Sequence, residues 1–340
     1  MSILSTVRRR ARITATTVAT IGEVRTLPEL EPAAIRGAVS TIDPVFLGGP
    51  QFVHDGLSGR LGVAVIVKVE TINPIRSFKG RGTSVAVRAL AAEGAIGADR
   101  AVVCASAGNF GQGVAYAARA LGIPALIFTS RRANRSKIAR MRALGGEVVE
   151  VGEDFDEARA ASETAVAAGA GRLLVDGEDP RIATGAATLA LELTDAVDAG
   201  ALPVPSIVSV PVGNGSLING VASWLRFGAP SCRILGVQAE GAAAMTLSWR
   251  AGRPIDTPSI ATYADGIASR IAIPVAVELM IGRVDEMRVV PDDAIRAAQA
   301  ELTAELGITV EGAAAASWAG LLAGPRPDGP AIVIITGSNA

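Results

Sequence analysis

From about residue 61 onward the chain alternates short β-branched runs with alanine-rich stretches of helical spacing, and this alternation most limits what it can fold into. Consecutive βα units bury their strands on both faces and build a parallel sheet layered with helices. VAVIVKVE (63–70) reads as a strand, and SFKGRGTSVAVRALAAEG as the helix after it, with Ser77 as N-cap and Gly94 as stop. AVVCAS (101–106), PALIFT (124–129), EVVEVG (147–152), LLVD (173–176), SIVSVPVG (206–213), CRILGVQ (232–238) and AIVIIT (331–336) read as further strands. No period of roughly 20 to 50 residues recurs, and no Pro/Ser-rich linker divides the chain, so two domains would have to be interleaved. The expected class is α/β.

Composition narrows the partners. With 32 basic against 33 acidic residues and a formal net charge of -1, no field attracts nucleic acid or an anionic membrane. No apolar run reaches the roughly 18 residues that span a bilayer, so a soluble, cytoplasmic protein acting on a small molecule is expected. Cys104 and Cys232 lack any metal-ligand or disulfide spacing. The Arg-rich, acid-free opening MSILSTVRRRARITATTVA reads as a solvated arm rather than a transit peptide. Only three basic residues are lysines, which makes Lys68, Lys79 and Lys137 conspicuous. Lys68, mid-strand, and Lys137, on a helix that reads as exposed, are taken as structural, and His54 as a turn residue.

Open α/β sheets bind ligands beyond the carboxyl ends of their strands, so the polar glycine turns there carry the chemistry. In PVGNGSLINGV, the residues Gly213, Asn214, Gly215, Ser216 and Leu217 stand between a strand and a helix start. Converging backbone N–H groups and the helix dipole there make a phosphate cup that needs no lysine or arginine; the plain alternative is an ordinary βα turn. SAGNFGQG (106–113) offers a second nest, either for a small carboxylate or as a turn with Asn109 capping the next helix. Lys79 opens a helix, where the dipole disfavours its ammonium by several tenths of a kcal/mol. Stability would not choose a lysine there, whereas condensation with an aldehyde needs an amine freed of its proton.

An amine, a carboxylate nest and a lysine-free phosphate cup suit pyridoxal phosphate, and beyond about residue 40 the chain resembles the fold-type II pyridoxal-phosphate enzymes. Within them it is most similar to the threonine/serine dehydratase group, which also contains serine racemases. The family's P-T-G-S-F-K-x-R-G appears as Pro74-Ile75-Arg76-Ser77-Phe78-Lys79-Gly80-Arg81-Gly82, S-x-G-N-H-x-Q-G as SAGNFGQG, and the glycine phosphate loop as GNGSL. EDPRIATGAAT, DGIA (265–268), VEGAAAASWAGLL (310–322) and the closing TGSN follow in the family's order. The resemblance implies a tryptophan synthase β-like fold of two open twisted sheets flanked by helices. Residues 1–100 and 173–340 would form a large domain and 101–172 a small one, in a homodimer. It implies Lys79 as the residue bonded to the cofactor, with Phe78, Asn109, Gly266 and Thr336 around the ring and Gly213–Leu217 on the phosphate. Ser106, Ala107, Gly108, Asn109 and Phe110 would hold the substrate. The implied reaction is α,β-elimination from a 3-hydroxy amino acid, threonine or serine, giving a 2-oxo acid and ammonia.

Departures from the pattern shape this expectation. Ala107 replaces the serine that racemases of the group use as a second base, so racemisation is not expected. Gln238 and Ala244 replace the group's metal-binding carboxylates, which leaves Glu240 alone and argues against a divalent requirement. Arg76 replaces a glycine: it either pairs with Glu70 or binds a carboxylate on the substrate side chain, which would favour 3-hydroxyaspartate. Phe110 replaces a histidine. The chain ends four residues after Thr336, so no C-terminal regulatory domain is expected. β-Replacement on the same fold, and a non-catalytic α/β ligand-binding protein, are the competing readings.

Overall fold

The computed structural model describes residues 27–339; the Arg-rich opening lies outside them. Ten strands form two sheets: β1 (Gln51–Val53), β2 (Val65–Val69), β3 (Ala101–Ala105), β4 (Ala125–Thr129), β5 (Glu147–Glu150), β6 (Gly171–Leu173), β7 (Ile207–Pro211), β8 (Arg233–Ala239), β9 (Glu286–Val290) and β10 (Ala331–Ile335). The larger sheet runs β1-β2-β10-β7-β8-β9 and the smaller β5-β4-β3-β6. Every pairing is parallel except the β1–β2 edge, as the crossover helices require. β2, β7 and β10 are buried at every residue, which is why they read as mostly apolar runs instead of alternating ones, broken only by Lys68 in β2 and Ser209 in β7.

Three local expectations shift. The helix Lys79–Ala92 begins at Lys79 instead of on a Ser77 cap, although Ser77 Oγ accepts the Lys79 N–H at 3.4 Å. LLVD is only partly a strand: β6 ends at Leu173, so Val175 and Asp176 stand in the turn beyond it. Strands β1 and β9 escape a reading by pattern, one being three residues long and the other (EMRVV) carrying an arginine and a glutamate.

Helix Pro180–Asp198 packs against both Lys79–Ala92 and Ser216–Gly228, tying the two sheets together. The crossing with Lys79–Ala92 is so close that a Cβ on Gly185 would stand 2.5 Å from Arg81 O, so only glycine fits. The buried indoles are polar-satisfied: Trp224 donates to Thr194 Oγ1 at 2.8 Å and Trp318 to Glu301 Oε2 at 3.0 Å. The carboxyl ends of β2, β3, β6, β7 and β10 all lead into segments that line one cleft between the sheets.

Candidate active site

The cleft holds a cavity of about 290 Å3 walled by both sheets. Its wall includes Phe78, Lys79, Ser106, Ala107, Gly108, Asn109, Phe110, Gly213, Asn214, Gly215, Ser216, Leu217, Gly266 and Thr336, so the residues assigned to cofactor and substrate from the sequence are brought together. Arg76 is not among them. It stands exposed at a φ of 51°, and Glu70, its expected partner, is taken by Arg81 through both carboxylate oxygens at 2.7 and 2.9 Å. Neither sequence-based role for Arg76 survives.

Lys79 is placed by the end of β10. Phe78 N–H donates to Thr336 O at 3.1 Å, and Ser338 N–H donates to Arg76 O at 3.0 Å, which fixes the segment entering the helix. The amine lies 4.7 Å from the Phe78 ring centroid and donates to Asp176 Oδ2 at 2.7 Å, with the two side chains 16% and 11% exposed. No acid was expected beside this amine. The only signal for Asp176 in the sequence is its place at the carboxyl end of the LLVD run.

The cup after β7 is an open helix start. Gly215, at φ 95° in the left-handed region, is the N-cap of Ser216–Gly228, and no side chain caps it. The first-turn N–H groups of Ser216, Leu217 and Ile218 have no acceptor within their own helix and face the cavity end, a ready site for an anion. Asn214 Oδ1 accepts from Ser269 Oγ at 3.0 Å, and Ser216 Oγ donates to Asp176 Oδ1 at 2.6 Å.

In the loop after β3, Ser106 spends its hydroxyl oxygen on the loop itself, accepting from Gly108 N at 3.2 Å and Gly111 N at 2.8 Å. Asn109 starts the helix Asn109–Ala120 and does not cap it. Its amide is instead oriented from both ends: Nδ2 donates to Glu311 Oε1 at 2.7 Å, and Oδ1 accepts from Asn339 Nδ2 at 2.9 Å. Glu311 also accepts from Asn339 N–H at 3.2 Å. Burial pushes the Glu311 carboxyl up to about 7, with Asp265 adding to the rise and Lys137, the Asn339 N–H and the Asn109 amide opposing it.

Lys137 corrects the sequence reading. It is 5% exposed, lines the cavity and contacts Asp265 across the cleft, with its Nζ 3.9 Å from where a Cβ on Gly108 would stand. Its spacing to Met141 placed it on the inner face of Arg135–Ala143, a signal outvoted by its charge. Arg270 and Asp156 make a second contact across the cleft. Among the described residues no group of three or more His, Cys, Asp or Glu could hold a metal ion, and no helix is long and apolar enough to cross a membrane.

An uncapped helix start for a phosphate and a lysine amine at the wall of the same cavity, beside a doubly oriented amide, fit a phosphorylated aldehyde. Residues 50–337 match the family described as pyridoxal-phosphate dependent enzyme. The chain is 34% identical to the biosynthetic L-threonine dehydratase of Mycobacterium leprae over 319 residues, 92% of this chain and 73% of that one. It is 36% identical to the L-threonine ammonia-lyase of Thermotoga maritima over 285 residues, covering 83% and 69%. Among solved structures, threonine deaminase isoform 2 of Solanum lycopersicum superposes with a TM-score of 0.80 at 31% identity, covering 91% of this chain and 86% of that one. Maize serine racemase gives 0.84 at 28%, covering 91% and 94%. With the motifs, the two-sheet fold and these matches in agreement, the chain belongs to the family of pyridoxal-phosphate-dependent enzymes.

Proposed function

We propose that this protein is a lyase that removes water and then ammonia from a small 3-hydroxy amino acid, threonine or serine, leaving a 2-oxo acid. The observation that carries the reading is the meeting of Lys79 Nζ, the open helix start at Ser216 and the Asn109 loop on one cavity. The named activities of the Mycobacterium leprae and Thermotoga maritima relatives support it.

In this reading the N–H groups of Gly213–Leu217 would hold the phosphate and Lys79 would bond the aldehyde, while Phe78, Asn109, Gly266 and Thr336 would hold the ring, Asn109 through its amide and Thr336 through its hydroxyl. Pyridoxal phosphate supplies the electron sink that makes the substrate's Cα proton removable. A neutral threonine hydroxyl, unlike a carboxylate, does not enforce a protonated ring nitrogen, which suits prompt loss of a β-leaving group over storage of a carbanion. The Ser106–Phe110 loop receives the substrate carboxylate, and the buried Lys137 ammonium beside Gly108 adds positive charge there. Lys79 Nζ takes the Cα proton, the hydroxyl leaves Cβ, and the released enamino acid hydrolyses in water to the 2-oxo acid and ammonia.

The division into residues 1–100 with 173–340 and 101–172 belongs to the same proposal, the smaller part closing over substrate to exclude water. The Lys137–Asp265 and Arg270–Asp156 contacts support it, since each joins a residue of 101–172 to one of the larger part. A cytoplasmic homodimer completes the reading. The test is a 2-oxo acid assay with threonine, serine and 3-hydroxyaspartate, without added thiol and with Lys79→Ala as control. Accumulation of 2-oxo acid and ammonia supports elimination; a need for thiol turns the reading to β-replacement.

A further inference from the structure

The lyase reading leaves one cavity acid without a task. Asp176 lies in the turn after β6, with Oδ2 2.7 Å from Lys79 Nζ and Oδ1 held by the Ser216 hydroxyl at 2.6 Å. A carboxylate at the edge of an anion cup repels the anion, so cofactor binding alone would not select it. Hydroxide, by contrast, is a poor leaving group that needs a proton donor within reach, and Asp176 is the acid hydrogen-bonded to the amine at the reacting carbon.

We infer that Asp176 is the general acid of the elimination, sharing one proton with Lys79 and giving it to the hydroxyl oxygen that leaves Cβ; the assignment rests on the lyase reading. With the shared proton on Asp176, Lys79 is a free amine. Its nitrogen takes the Cα proton: the Cα–H bond breaks, an N–H bond forms, and the released pair becomes the Cα–Cβ double bond as the Cβ–O bond breaks. The departing oxygen takes the proton of the Asp176 carboxyl and leaves as water. The pair ends as ammonium and carboxylate, one proton taken in and one given out. Passage of that proton across the 2.7 Å contact restores the starting state. The reach is consistent, because the leaving oxygen is two bonds from the Cα that Lys79 touches, and Asp176 touches Lys79. Ser216 fixes Oδ1 and so leaves Oδ2 facing the amine.

The test compares leaving groups in Asp176→Asn. Serine loses hydroxide and needs an acid, whereas 3-chloroalanine loses chloride and needs none, yet both require the same Cα proton removal and give pyruvate. Asp176→Asn is expected to slow pyruvate formation from serine by about 100-fold or more, and by at least about tenfold more than that from 3-chloroalanine, where only the base's proton partner is lost. Uptake of pyridoxal phosphate, followed by its visible absorbance, is expected within about threefold of wild type, since the cup and Lys79 remain. Equal losses on both substrates, or no loss on either, overturn the assignment. Asp176→Glu keeps a carboxyl and guards against a collapsed Asn variant: its serine to 3-chloroalanine ratio should fall by a smaller factor, and an unchanged ratio also overturns it. Failure of the wild-type protein on both substrates defeats the lyase reading instead, before Asp176 enters the question.

Discussion

Lys79 and Arg81 stand two residues apart at the start of one helix, so their side chains leave it on nearly opposite sides and meet opposite surroundings. Arg81 is 0% exposed and saturated: Glu70 takes its Nε and Nη2, Glu192 its Nη1 and Nη2 at 2.8 and 2.9 Å, and Thr188 its Nη1 at 3.0 Å. Lys68 completes that set, donating to Gly49 O at 2.8 Å and Glu192 Oε2 at 2.5 Å. Lys79 has one acid partner, and that acid also faces the cavity. A closed set of charges has no donor or lone pair left for a substrate and can only hold the fold; an open set facing a cavity can exchange protons. Burial alone does not separate structural lysines from reactive ones.

The contrast breaks if the two cations respond alike to removal. Lys79→Ala should cut 2-oxo acid formation by at least about 10^3-fold while leaving thermal unfolding nearly unchanged. Arg81→Met should do the reverse in kind, leaving Glu70 and Glu192 with only Lys68 between them at a cost of about 3–5 kcal/mol and lowering Tm by about 4–7 °C. Calorimetry with the assay on the same preparations separates the two; a stable Arg81→Met protein would sink the structural assignment of that network.

Acidity should divide the same two regions, with opposite sign. In the closed set burial pushes Glu192 up, but hydrogen bonds and charge from Arg81 and Lys68 win and hold it below the ordinary 4.5. The native state then binds fewer protons than the unfolded one, so this stabilisation is present above about pH 4.5 and fades as pH falls. Glu311 is raised from 4.5 to about 7, so its contribution is complete below about 4.5 and is lost as pH climbs towards 7. That gap corresponds to at most about 3 kcal/mol. Urea unfolding of the cofactor-free protein from about pH 4 to about pH 8 should show both limbs, with Glu311→Gln flattening the upper one and Glu192→Gln the lower.

The strands were legible because parallel sheets buried on both faces leave mostly apolar runs, and the glycine turns because their φ demands and the helix dipole leave few substitutes. Residues whose role comes from contact across the fold were not. Asp176 meets Lys79 over 97 positions, and Glu311 meets Asn109 over 202. Glu311 lay within a quoted motif, yet nothing in VEGAAA says that its carboxyl is sealed against an amide from the other sheet. Lys137 misled in a different way: its charge suggested solvent, whereas its place beside Ile138 and Met141 on the buried face of a helix was the better guide. Arg76 misled through proximity in sequence, because Glu70 had a stronger bidentate partner in Arg81.

The smallest effect tests whether the cavity charges act on one another as an open set. Lys137 is the first of the charged groups acting on Glu311 and holds its carboxyl down, whereas Asp265 raises it. Lys137→Met should therefore move the Glu311 titration further up, extending the pH range over which its protonated form stabilises the fold. Asp265→Asn should move it down and shorten that range. The Asp265 response should be the weaker, because that side chain is 52% exposed and screened by water while Lys137 is 6% exposed. Removing Lys137 leaves Asp265 in contact with water, and Asp265→Asn keeps a polar partner for the Lys137 amine, so the titration should remain readable in both variants. Carboxyl carbon NMR of Glu311 reads the midpoint directly. If both variants leave it in place, Glu311 titrates in isolation, and the cavity charges would form separate pairs with no network between them.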